Sequence, residues 1–299
     1  MLYVGQQTVF EEGSQLLAQL LGVQVSGKQI ERLCHYFGER LEVDKQEAAA
    51  SFSATELVYG MVDGSMVLTR EEGWKEIKLG RLFSTTSHER GHEDQRGRIH
   101  SSVYTAHLGH YQDFLSKWER ELAPVEKKRL VLLADGAQWF WDWAEEHCRE
   151  SLQILDYYHC KSYLCRFAKV YFKDKQERIR WIETQQERLF ADRIDEVIET
   201  IEQLPRRGVE DLIERRKILS YYRNNRRRMY YGSYRKRGLL IGSGPIEAAH
   251  RNVIQQRLKL AGQRWTQQGA QQIANLRVIR KSDSWDHVIA LTRTRKKAA

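Results

Sequence analysis

The chain has 299 residues, 41% hydrophobic and only three of them proline, as in a soluble globular protein of one large or two ordinary domains. Lys and Arg total 49 against 40 Asp and Glu, a formal charge of +9 that suits an acidic partner such as nucleic acid. No apolar run approaches the roughly 20 residues of a membrane span, residues 1–12 lack a signal-peptide pattern, and four cysteines without a CxxC pair point to a reducing cytosol.

In chain order, Phe10, Leu16, Leu17, Leu20 and Leu21 fit one helix face. Gly22 ends that helix, Ser26 caps the next, and Ile30, Leu33, Cys34, Phe37 and Leu41 mark its buried side. The pair fits a helix-turn-helix module or a plain helical hairpin. Residues 51–172 then alternate. Strands are expected at 56–67, 74–84, 99–108, 130–134 and 152–155, with helices around Phe114–Leu122, Gln138–His147 and Tyr157–Tyr171. This order predicts an α/β fold with a mixed sheet flanked by helices. Residues 173–237 read as long, charged helical sequence broken at Pro205 and Gly208. A last helix starts after Gly242-Ser243-Gly244-Pro245 and stops near Gly262.

Two apolar runs end alike, Val58–Val62 in Asp63-Gly64 and Leu130–Ala134 in Asp135-Gly136. Carboxylates at neighbouring strand ends repel unless a proton or a divalent cation lies between them, and oxygen ligands of this kind suit Mg²⁺ or Mn²⁺. The plainer alternative is that each Asp only closes a strand in an Asp-Gly turn. Glu247 sits in the first turn of the last helix, where the helix dipole favours a carboxylate.

Its surroundings carry a motif: Gly242-Ser243-Gly244-Pro245-Ile246-Glu247-Ala248-Ala249-His250, then Arg257-Leu258-Lys259 and Gly262-Gln263-Arg264-Trp265. With Val62-Asp63-Gly64, Trp74-Lys75-Glu76-Ile77-Lys78, Ala134-Asp135-Gly136 and Asp156-Tyr157-Tyr158-His159, the chain from about 50 to 285 resembles bacterial insertion-sequence DDE transposases of the ISKra group, relatives of the Mutator-like transposases. The resemblance implies an RNase H-like core at 49–172 and 238–285, interrupted by an all-helical insertion at 173–237. A helix-turn-helix-like segment at 1–48 precedes it and a basic tail at 286–299 follows.

It also implies a triad of Asp63, Asp135 and Glu247 holding two Mg²⁺ or Mn²⁺ ions, with His159 either near the scissile phosphate or bracing the acidic pocket. The reaction would be cleavage and strand transfer on double-stranded DNA, at transposon ends and target. It would be carried out by a homodimer or larger assembly in the bacterial cytoplasm, associated with the nucleoid. The family has a cysteine-rich module ahead of the helix pair, and this chain begins almost at the pair. An inactive DNA-binding derivative, or a nuclease without strand transfer, are therefore the alternatives.

Between Pro205 and Arg237 twelve Lys or Arg face three acids. Arg226, Arg227, Arg228, Tyr230, Arg235, Lys236 and Arg237 are expected to contact DNA, the arginines at phosphates and the tyrosines stacking on unpaired bases. Lys259 and Arg264 are expected at phosphate close to Glu247. His147, Cys148, His159, Cys160 and Cys165 match no familiar zinc spacing. Trp139, Trp141 and Trp143 read as packing residues.

Overall fold

A computed structural model describes residues 1–43, 52–53, 55–89 and 97–294. His92 and residues 295–299 of the basic tail lie outside the described residues. The chain begins with helices α1 (Leu2–Gln7), α2 (Phe10–Leu21) and α3 (Gly27–Val43). Strands β1 (Val58–Thr69) and β2 (Gly73–Ser84) follow, then a short pair, β3 (His88–Glu89) and β4 (Arg98–Ile99), strand β5 (Val103–Leu108) and helix α4 (Tyr111–Leu122). Next come β6 (Leu130–Ala134), α5 (Gln138–His147), β7 (Leu152–Leu155) and α6 (Tyr157–Tyr171). Residues 173–237 hold α7 (Lys175–Phe190), α8 (Ile194–Gln203), α9 (Val209–Asn225) and α10 (Tyr231–Lys236). The chain finishes with α11 (Gly244–Ala249), a π-helical turn at His250–Gln255, α12 (Gln256–Leu258), α13 (Gln267–Lys281) and α14 (Trp285–Thr294). The expected class holds: the fold is mixed α/β, its strands both antiparallel and parallel and flanked by helices.

Two compact units divide the chain, Met1–Leu130 with Pro245–Ala299, and Val131–Gly244. In the first unit β2 lies antiparallel between β1 and β5. One face of β2 takes α4, where Gly80 lets the Trp118 ring approach so closely that a Cβ would stand 2.4 Å from it. The outer edge of β5 is closed by side chains of α13. Gln271 accepts from Leu108 N–H at 2.7 Å and donates to Ala106 at 3.2 Å, while Ser282 accepts from Tyr104 N–H at 3.0 Å. An edge that would otherwise offer free ladder groups is thus satisfied within the unit.

The helix pair α2–α3 forms where the spacing placed it. Ser26 and Gln29 make a reciprocal capping box, Oγ accepting from Gln29 N–H at 3.2 Å and Oε1 accepting from Ser26 N–H at 3.1 Å. Of the apolar positions that marked α3, Ile30, Cys34, Phe37 and Leu41 are buried and Leu33 is half-buried. On α2, Leu17 is buried, whereas Leu16, Leu20 and Leu21 are exposed. The sequence reading missed α1, α13 and α14. In α13 the buried set includes Gln272 and Arg277 beside Ile273 and Leu276, so no clean apolar stripe marks the helix.

In the second unit β6 runs parallel to β7, from Val131 opposite Leu152 to Ala134 opposite Leu155, and every residue of β6 is buried. Helices α6–α9 pack around Cys160, Phe167, Ile198, Ile218 and Tyr222. Among the described residues no helix is long and apolar enough to cross a membrane.

Helix α3 meets α13 through Gly38, where a Cβ would fall 2.3 Å from the Gln272 carbonyl oxygen. In an open helix Gly→Ala would stabilise by about 1 kcal/mol, but here the clash is with rigid backbone. We expect Gly38→Ala to destabilise the protein by a net 1–3 kcal/mol, roughly the overpacking range. The shift of a urea unfolding midpoint measures it, and an unchanged or raised midpoint would contradict this packing.

Candidate active site

Strand β1 changes character at Asp63. Val58–Val62 are buried, whereas Asp63–Met66 alternate between half-buried and exposed. The strand expected at 56–67 is β1, but Asp63-Gly64 does not end it: pairing with β2 continues to Thr69 opposite Gly73. The apolar run stops where burial stops, not where pairing stops. Asp63 therefore projects from the middle of a long strand, opposite Leu79, which fixes its position more firmly than a strand end would.

Asp63 Oδ1 accepts from Gly64 N–H at 2.8 Å. Asp63 and Glu247 line one cavity of about 390 Å³, together with Ser65, His250, Arg251 and Lys259. Lys259 Nζ donates to Ser65 Oγ at 3.3 Å. Glu247 lies in the first turn of α11 and is exposed. The helix reaches this position because the buried Arg81 of β2 donates Nη1 to the Pro245 carbonyl at 2.7 Å and Nε to Ser102 Oγ at 3.0 Å.

Immediately after α11 the helix widens into its π turn, a form common at functional sites. The turn carries His250 and Arg251 on the same cavity as Glu247. His250 is buried, its Nε2 is 3.0 Å from the Asp63 carbonyl oxygen and 3.8 Å from Asp63 Oδ2, and Nδ1 has no hydrogen-bond partner. Burial pushes its pKa below the usual histidine value, against the pull of Asp63 in the other direction. A neutral imidazole donating Nε2–H to the Asp63 carbonyl braces the strand at the carboxylate. The motif contained His250 three residues after Glu247, which is the signal that could have assigned it.

The second unit holds the other expected residues. Asp135 follows β6, and its Oδ1 accepts from Ala137 N–H at 2.9 Å in an Asx turn that opens α5. Trp141 Nε1 donates to the Asp135 carbonyl at 2.7 Å, so this tryptophan is a packing residue. Gly136 lies against the Tyr221 ring, where a Cβ would stand 2.1 Å away. Tyr221 stacks on Tyr163 at 4.0 Å, and His159 lies 6.1 Å from Tyr221. His159 is exposed on α6. Asp156 is buried: it caps α6 by accepting from Tyr158 N–H at 2.8 Å, and Ser243 Oγ donates to it at 2.6 Å. Burial raises the Asp156 pKa, with those hydrogen bonds opposing.

The basic residues separate into two groups. Arg226, Arg227, Arg235, Lys236 and Arg237 are exposed on the second unit, and Tyr230 is 40% exposed. Arg226 pairs with Asp195 at 3.0 Å, and Arg235 covers the Phe190 ring at 4.8 Å. Arg228 differs from the expectation. It is buried, donates to Glu145 at 2.7 Å and to Gln153 at 2.7 Å, and stacks on Trp141 at 4.5 Å. Its guanidinium joins α5 to β7 and presents nothing to a ligand. Tyr222, Tyr231 and Tyr234 of the same basic segment are likewise core, whereas the Tyr230 ring is exposed. Lys259 lines the Glu247 cavity, whereas Arg264 lines a second one.

In the first cavity the donors are two carboxylates and a hydroxyl, hard oxygen ligands that fit Mg²⁺ or Mn²⁺. Among the described residues no group of three or more His, Cys, Asp or Glu gathers into a metal-holding cluster. Magnesium is commonly held by one or two carboxylates with waters and substrate phosphate completing its shell, so the donor set remains compatible. Cys148 and Cys160 are buried and unbridged, and Cys165 is half-buried. No family model matches the chain, and no curated protein matches its sequence.

The Asp156 geometry gives a sign. Its folded pKa lies above the unfolded value, so its contribution is fully present below the unfolded pKa and is lost as pH rises through the folded one. Asp156→Asn keeps a capping side chain and removes that loss. We expect Asp156→Asn to equal or exceed the parent in urea unfolding at pH 7, and Asp156→Ala to lose about 1 kcal/mol or more with the cap. Equal losses in both variants would show that the charge itself stabilises the fold.

Proposed function

We propose that the protein is a DDE-type DNA transposase with an RNase H-like core, in which residues 173–237 form a helical insertion. Asp63 and Glu247 are the carboxylates that hold divalent ions beside the scissile phosphate, and Asp135 supplies the third acid of the triad. The observation that carries this reading is that Asp63 and Glu247, 184 residues apart, line one polar cavity with Lys259, whose ammonium is suited to a phosphate oxygen. That convergence is what the motif needs and what unrelated strand and helix carboxylates would not provide.

The chemistry is in-line displacement. Asp63 and Glu247 would hold Mg²⁺ or Mn²⁺, whose charge would serve to activate the attacking oxygen and stabilise the leaving one. The carboxylates of Asp63 and Glu247 orient that charge, and His250 keeps Asp63 in place through its carbonyl. Lys259 neutralises the phosphate, and Arg81 holds the start of the helix that carries Glu247. His159 acts near Asp135 on the same substrate. Double-stranded DNA tracks along Arg226, Arg227, Tyr230, Arg235, Lys236 and Arg237, whose exposure suits phosphate contact. The active form is a dimer or larger assembly on transposon ends, in a cytoplasmic, nucleoid-associated setting.

The test is incubation of the full chain with Mg²⁺ or Mn²⁺ and duplexes carrying the element's ends. We expect metal-dependent nicking followed by joining to a second duplex. Asp63→Asn, Asp135→Asn and Glu247→Gln should each lower the rate by at least about 100-fold, since replacing a ligand should cost no less than disturbing the groups that orient one. Product without metal, or an undiminished product from Asp135→Asn, would sink the triad. Cleavage without joining would favour a nuclease.

The DNA track is tested separately by salt dependence. Arg227→Gln with Lys236→Gln should weaken duplex binding and flatten the slope of log K against log salt by about 0.9 per lost phosphate contact. An unchanged slope would remove these two residues from the interface.

A further inference from the structure

A second cavity of the first unit, about 520 Å³, shares no lining residue with the one that holds Asp63 and Glu247. It lies where the chain beyond α12 returns to the end of β1. Arg70 N–H donates to the Trp265 carbonyl at 2.8 Å, and Trp265 N–H donates to Leu68 at 3.1 Å. Phe10 and the start of α3 complete the wall.

Three of its lining side chains carry buried polar atoms with no hydrogen-bond partner: Arg257 at Nη1 and Nη2, His35 at Nε2, and Gln263 at Oε1. Buried polar groups almost always find a partner, so a cluster of orphans around one cavity calls for something in it. Arg257 is fully buried, and its guanidinium lies against both the Phe10 and Trp265 rings, at 4.7 and 4.8 Å, where the two rings meet edge to face. Nε donates to the Gly5 carbonyl at 3.0 Å, which fixes the rotation of the plane and leaves both Nη groups unused. Among the described residues no carboxylate hydrogen-bonds these Nη groups, and Glu12 acts on the buried charge only through space, a costly arrangement.

Charge around the cavity is predominantly positive. Lys28, Arg70, Arg257 and Arg264 line it against a single carboxylate, Glu31, which Lys28 already holds at 2.6 Å. A water molecule could satisfy the orphan atoms singly, but it would not offset the guanidinium charge. A rigid planar fork with both Nη groups open is matched by a tetrahedral oxyanion, which accepts two parallel N–H bonds.

We propose that this cavity is an anion site for a phosphate group, held by Arg257 at its base and by Arg70 and Arg264 at its rim. His35 donates through Nε2, and burial lowers its pKa, so it does so as a neutral imidazole. The Gln263 amide, turned by half a rotation, presents its NH₂ to the same anion. The site needs neither a metal nor a scissile bond and does not rest on the triad. The phosphate can be free or can belong to a nucleic-acid strand.

The experiment is calorimetric titration of the full chain, in buffer containing a chelator, with inorganic phosphate and separately with a short duplex. We expect saturable phosphate binding. It should weaken at least about tenfold in the Arg70→Gln, Arg264→Gln double variant, whose side chains are both exposed and which should fold normally. Arg257→Lys should weaken it comparably, because an ammonium keeps the charge and loses the fork. Lys175→Gln with Arg180→Gln, exposed on α7 and outside both proposed interfaces, should leave phosphate affinity unchanged. Competition between duplex and phosphate assigns the group to a strand, and phosphate binding that duplex does not displace assigns it to a free ion. Absence of saturable binding of either probe, equal phosphate affinity in the double variant, or an equal loss in the distant variant overturns the proposal.

Discussion

Two buried guanidiniums organise the first unit. Arg277 of α13 donates to the Gln6 carbonyl at 2.8 Å and to the Val253 and Asn252 carbonyls of the π turn. Arg257 donates to the Gly5 carbonyl, one residue earlier on α1. Both side chains are fully buried, and burial brings each pKa down to about 10, so both remain charged at neutral pH. A π turn frees carbonyls that an α-helix would use, and a buried carbonyl without a donor is expensive. Arg277 supplies those donors. The widened helix carrying Glu247 and His250 can exist at this depth because α13 brings a five-donor side chain to it.

This arrangement explains how β2, α13 and the middle of β1 together set the walls of one cavity. Arg81 fixes the beginning of α11 through Pro245, Arg277 fixes its π turn, and His250 ties that turn to the backbone of Asp63. Three contacts made from different elements leave the helix little freedom to rotate. The spacing between Asp63 and Glu247 is therefore set by side-chain-to-carbonyl bonds rather than by apolar packing alone, the kind of support that a precise site requires.

Much of the fold was legible because its strands and most of its helices bury simple apolar patterns. Leu130–Ala134 is buried throughout, and Ile30, Cys34 and Phe37 recur at helical spacing. What was hidden depends on buried polar groups. Helix α13 is masked by Gln272 and Arg277. For the site, the acids were visible as residues and Glu247 through its motif. The roles of Arg81, His250 and Arg277 were not, because each acts on a carbonyl distant in sequence, and a carbonyl leaves no mark in the side-chain pattern.

The same distinction governs how the positive charge should be read. The segment from Pro205 to Arg237 looks uniformly basic, yet Arg215 is buried against Asp211 at 3.0 Å and Arg228 is buried against Glu145 and Trp141. Those two guanidiniums hold helix ends and a strand in place, while their neighbours Arg226 and Arg227 stay exposed. Buried arginine in this protein is a structural donor wherever a carbonyl or carboxylate meets it. Arg257 departs from that pattern at two of its three nitrogens, for which the described residues supply no hydrogen-bond acceptor.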